Sequence, residues 1–128
     1  MPNLVDLADI APIRVWDDVV ARVVTGELVT LAVVELAPDS VVPEHRHANE
    51  QCGIVIEGEV TFRIGDEERV LGPGGTWRII GDTPHALVTG GRGAVVVDVF
   101  SPARSDWDDK PVAGTREEPT PLVWPRRH

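Results

Sequence analysis

Tyrosine is absent from these 128 residues, and cysteine, methionine and lysine occur once each. A lone cysteine, Cys52, rules out an intrachain disulfide and gives no sign of an oxidising compartment. Basic charge is scarce: the formal net charge is −9. That balance speaks against nucleic acid or an anionic membrane as partner, since both need a positive surface. An anionic substrate would have to be drawn in locally, by a metal or an arginine, against a repelling field. No apolar run approaches membrane-spanning length. The first thirteen residues lack the basic-then-apolar profile of a signal peptide, so a cytoplasmic protein is the expectation. Helix signals are nearly missing as well.

What is there instead is valine, whose branched side chain favours pleated, half-buried surfaces. Short apolar runs recur, each closed by turn residues. They predict strands at Arg14–Val24, Leu28–Leu36, Cys52–Glu57, Val60–Ile64, Glu68–Leu71, Thr76–Ile80, His85–Val88 and Ala94–Phe100. Turns are expected at Thr25-Gly26, Pro38-Asp39-Ser40, Gly58, Gly65-Asp66, Gly72 to Gly75, Gly81 to Pro84 and Gly90-Gly91. Many short strands at close spacing imply an all-β antiparallel sandwich or barrel. Length and patterning fit one domain over residues 1–108. The proline- and charge-rich stretch 109–128 reads as an irregular tail, with Trp107 and Trp124 as candidate anchors.

Three of the four histidines fall in a pattern that carries chemistry. His45 and His47 are two apart, so an extended chain places both rings on one face. Gln51 shares their parity, and its amide oxygen could join them. Glu50 beside it is the competing candidate. His85 arrives from a later strand, directly after Pro84. Converging imidazoles suit one divalent transition metal, and Zn, Ni, Mn, Fe and Cu all remain open. The blander readings are an incidental His-x-His pair and a Gln51 that only hydrogen-bonds a histidine ring. Cys52, on the opposite face, reads as a small buried hydrophobe.

These residues resemble the two motifs of the cupin superfamily. The first runs from His45-Arg46-His47 through Glu50-Gln51 to Gly58, with the glycine seven residues after the fourth ligand position. The second runs from Gly74 through Gly81-Asp82-Thr83-Pro84 to His85, and fifteen residues separate Gly58 from Gly74. The resemblance covers about Val33 to Trp107. It implies a double-stranded β-helix, or jelly-roll barrel, holding the metal on His45, His47, His85 and Gln51, and assembly as a homodimer through sheet edges. The chain departs from the family in carrying Gln51 where glutamate is usual, and Ile80-Gly81 where proline is usual.

A second cluster, Asp98-Val99-Phe100-Ser101-Pro102-Ala103-Arg104, is unusual because its aspartate sits among valines, and an unpartnered buried carboxylate is costly. The string resembles the closing strand of small KdgF-like cupins, which act on unsaturated uronates. That resemblance implies Asp98 as acid/base, Phe100 as pocket wall and Arg104 as the clamp on a substrate carboxylate. The alternative is a structural ion pair between Asp98 and Arg104. The function expected is a metal-dependent isomerase or ring-opening enzyme acting on a small carboxylated sugar, a 4,5-unsaturated uronate. Alternatives are a mononuclear metal dioxygenase, a secondary-metabolite cyclase or isomerase, and a non-catalytic small-molecule or metal-binding module.

Overall fold

The computed structural model describes residues 2–107 and 124–125. Among them are eight antiparallel strands: β1 (Ile13–Trp16), β2 (Val19–Thr25), β3 (Thr30–Leu36), β4 (Val41–His45), β5 (Glu50–Ile64), β6 (Glu67–Leu71), β7 (Thr76–Ile79) and β8 (His85–Ser101). Single 3-10 turns lie at Leu7–Asp9 and Ser105–Trp107. The all-β expectation holds, and the hairpin expected around Gly65-Asp66 forms, with Ile64 opposite Glu67.

Two long strands organise the molecule. The first part of β5 pairs with β7, and its second part with β6. The second part of β8 pairs with β3, and its first part with β4. β5 and β8 also pair with each other along both parts. One layer is therefore β1-β2-β3-β8-β5-β7, the other β4-β8-β5-β6, and the two long strands belong to both. This is a jelly-roll arrangement in which the sheet folds over on itself.

The sequence expectation broke both long strands at their glycines. The structure keeps each continuous and uses the glycines as corners. The β5–β8 register slips between Val55 and Glu57 and again between Gly58 and Val60. Gly58 and Gly93 take positive φ there, 82° and 70°. A side chain on Gly58 would run into the Gly93 carbonyl. Bulges of this kind bend and twist a strand without ending it. Two further boundaries differ. The run expected at Arg14–Val24 is a hairpin, β1 and β2, turning at Asp17-Asp18. A strand not expected, β4, carries Val41–His45 into the site.

Core side chains come from the inner faces of both layers, among them Ala32, Val34, Val55, Val60, Phe62, Ile79, Val96 and Phe100. At about 1.5–3 kcal/mol for each fully buried large apolar side chain, this layer is the main source of stability. Thr89 ties the β3–β4 connection to β8. Its hydroxyl donates to the Ala37 carbonyl at 2.8 Å and accepts from the Ser40 N–H at 2.8 Å.

Candidate metal centre and cavity

Sequence-predicted ligands from four places meet inside the jelly roll. His45 ends β4, His47 lies in the following loop, Gln51 is the second residue of β5 and His85 opens β8. The chain is not extended from 45 to 51, as same-face parity assumed. Strand β4 stops at His45 and a loop carries the chain to Glu50. The loop is held in place from outside: the Asp82 N–H donates to the His47 carbonyl at 2.7 Å, and Gly81 packs so closely on Ala48 that a Cβ would clash with its carbonyl. That close approach suits glycine in the segment where the family usually has proline. Glu50 is exposed and Gln51 buried, so Gln51 is the residue that faces the cavity.

Candidate ligand atoms of the three histidines all lie within 4.8 Å of one another. Each ring is oriented by a backbone carbonyl at its Nδ1: Pro43 for His45 at 2.8 Å, Asn49 for His47 at 3.0 Å, and Thr83 for His85 at 2.8 Å. A carbonyl accepts only, so each Nδ1 carries the proton and each Nε2 presents a lone pair. Among the described residues, the buried His85 Nε2 has no hydrogen-bond partner. His47 Nε2 stands 3.1 Å from Gln51 Oε1. With His47 protonated at Nδ1, that contact sets one lone pair against another. A cation between ring and amide resolves it and also satisfies His85. The residues fit a divalent metal held by three imidazoles and one carboxamide oxygen.

Electrostatics favour the ligand form of the rings. Burial, foremost, pushes His85 down to about 4 from 6.5. His47 is also lowered, mainly by burial and then by the positive charge of Arg104. Both are neutral at pH 7, as metal binding requires.

Beside the histidines opens a cavity of about 330 Å³, lined among others by Trp16, Gln51, Asp98, Phe100 and Arg104. Asp98 is buried on β8, on the same side as Val96 and Phe100. Its Oδ1 accepts from Gln51 Nε2 at 2.9 Å and from Trp77 Nε1 at 2.8 Å. Burial pushes the Asp98 carboxyl up to about 6, although these two bonds and the Arg104 charge oppose the rise. The ion pair between Asp98 and Arg104 weighed from sequence is not formed. Arg104 instead grips Asp106 through two bonds, Nε to Oδ1 at 2.9 Å and Nη2 to Oδ2 at 2.8 Å. Its guanidinium lies 4.8 Å from the Phe100 ring centre and 4.4 Å from that of Trp107, a cation–π contact with each of two rings that pack edge-on against one another.

Sequence reasoning missed three contributors. Trp77 anchors Asp98, Trp16 packs its ring 5.1 Å from that of His45, and Gly53 leaves room for the Trp77–Asp98 contact. A glycine inside a strand otherwise made of side chains was the available signal for the last. Cys52 is exposed rather than buried, because its face of β5 points outward. Trp107 packs its ring on that of Phe100, with centroids 5.0 Å apart. Tail residues 109–123 and 126–128, His128 included, fall outside the described residues.

A cupin domain family model matches residues 32–100, which is more than half of the chain. The pectin degradation protein KdgF of Dickeya dadantii (strain 3937) is 26% identical over 93 residues, covering 71% of this chain and 84% of that protein. Among solved structures, KdgF from Halomonas sp. superposes with a TM-score of 0.76 at 22% identity, over 83% of this chain and 98% of that one. An RmlC-like cupin from Shewanella frigidimarina NCIMB 400 gives 0.78 at 18% identity, over 84% and 96%. The jelly roll, its converging histidines and the matched domain lead to one conclusion: the chain belongs to the cupin family.

Proposed function

We propose that this cupin is a metal-dependent enzyme that opens the ring of a small carboxylated sugar, a 4,5-unsaturated uronate, to its keto acid. The observation that carries the reading is the placement of Asp98: a buried carboxyl lining the cavity, bonded to the candidate ligand Gln51 and free of any ion pair with Arg104. Similarity to the KdgF of Dickeya dadantii supports the substrate class.

His45, His47, His85 and Gln51 would hold the metal. When bound, it supplies Lewis acidity, polarising an oxygen of the substrate. Ring opening is an isomerisation: the anomeric hydroxyl loses a proton as the bond from C1 to the ring oxygen breaks, the ring oxygen becomes a ketone, and C4 gains a proton. Asp98 moves that proton. Its Oδ1 is occupied by Gln51 and Trp77, so Oδ2 is the oxygen that exchanges it. A carboxyl raised to about 6 is matched to both accepting and returning a proton near neutral pH. Arg104, held against the Phe100 and Trp107 rings, offers its remaining N–H groups to the substrate carboxylate. Phe100, Leu87, Val42 and Trp16 supply an apolar wall that excludes water.

The test is incubation of metal-loaded protein with an unsaturated uronate, following loss of the conjugated absorbance. Turnover is expected for the wild type, and Asp98→Asn should lower kcat by about 10²–10⁴-fold. No turnover above the buffer control overturns the reading and leaves the fold untouched. Arg104→Gln should raise KM by roughly 10–100-fold, the equivalent of a charge-assisted hydrogen bond. An unchanged KM removes Arg104 from substrate binding.

A further inference from the structure

A carboxylate is ordinarily a better ligand for a divalent cation than a carboxamide, yet this site presents Gln51. The reason lies on the far side of the amide. Strand β5 runs between β7 and β8, and its Gly53 is the cross-strand partner of both Trp77 and Asp98. Without a Cβ at 53, the Trp77 indole reaches across the strand to Asp98. An indole N–H can only donate, which fixes Oδ1 of Asp98 as an acceptor. The same oxygen faces Gln51 at 2.9 Å and so selects the NH₂ group of its amide. The amide oxygen is thereby turned to His47, 3.1 Å away.

We propose that Asp98 is a positioning residue for the metal site, holding Gln51 with its oxygen toward the histidines, and that Asp98 and Gln51 form a matched pair that excludes glutamate at position 51. A carboxylate there would set two like-charged acceptors against each other across the 2.9 Å contact. The inference rests on the metal assignment above. It gives the two oxygens of one carboxylate separate duties: Oδ1 orients the ligand, and Oδ2 serves the substrate.

Metal affinity separates these duties. Zn²⁺ titration by calorimetry, with Co²⁺ absorption to read the coordination, should be run on the full chain and on Asp98→Asn, Asp98→Leu and Gln51→Glu. Asparagine keeps a carbonyl for both donors, so Asp98→Asn should bind Zn²⁺ within about threefold of the wild type, whereas Asp98→Leu should lose about 10–100-fold, the usual cost of removing an orienting partner. Gln51→Glu should bind no more tightly than the wild type despite its added charge. An Asp98→Leu protein with wild-type affinity and Co²⁺ spectrum overturns the proposal, as does a Gln51→Glu protein that binds tenfold more tightly. If Asp98→Leu does not fold, Gln51→Glu and Asp98→Asn decide. Turnover is a separate readout: an Asp98→Asn protein that binds metal normally and still turns over refutes the proton-transfer role alone.

Discussion

At the residue scale, pH is the informative variable. His85 sits at about 4 in the folded chain against an ordinary 6.5, so between these values the unfolded chain takes up a proton that the folded chain refuses. Stability of the metal-free protein therefore falls as pH drops through that window. His47, also lowered, adds to the loss. Asp98 acts in the opposite sense: raised from 3.8 to about 6, it binds a proton first in the folded state, and its contribution is lost as pH rises through 6. Thermal unfolding in a chelator should show His85→Gln losing less stability than the wild type between pH 6.5 and 4. Equal losses would show that the ring is not held neutral by burial. At this scale the sequence was legible where chemistry is tied to spacing, hence the three histidines and Gln51. It was silent on Trp77 and Gly53, since a bond from one strand across another depends on register that no local pattern encodes.

At the element scale, the instructive error concerns glycine. Gly58 and Gly90-Gly91 look like turns in one dimension, because turn and bulge draw on the same conformational freedom. Which one forms is decided by long-range pairing: β5 and β8 continue past their corners because each finds a new neighbour there. Gly58→Ala tests the corner. Its positive φ alone costs about 1–3 kcal/mol, and the added methyl also meets the Gly93 carbonyl. A clear drop in melting temperature is expected, with circular dichroism of the survivor still all-β. An unchanged melting temperature would mean that the corner relaxes freely. Strand β4 escaped notice because Pro43 interrupts its short apolar run, and proline is tolerated where the strand has a neighbour on one side only, here β8.

At the scale of the whole molecule, charge and topology govern behaviour. A chain of net charge −9 repels an anion at long range, so the uronate proposed as substrate would be drawn in only close to Arg104 and the candidate metal site. Raising salt screens the repulsion, so kcat/KM for an anionic sugar should rise with ionic strength up to about 0.15 M, where the Debye length is about 8 Å. A fall across that range would show that local attraction already dominates the approach. No helix among the described residues is long and apolar enough to cross a membrane. The two long strands carry a further consequence. Since β5 and β8 are structural members of both layers, neither layer can open while the other stays closed. Amide hydrogens on the two sides of the sandwich should then exchange at a common slowest rate, as one foldon, and a blow struck at either face would be felt as a loosening of the three histidines between them.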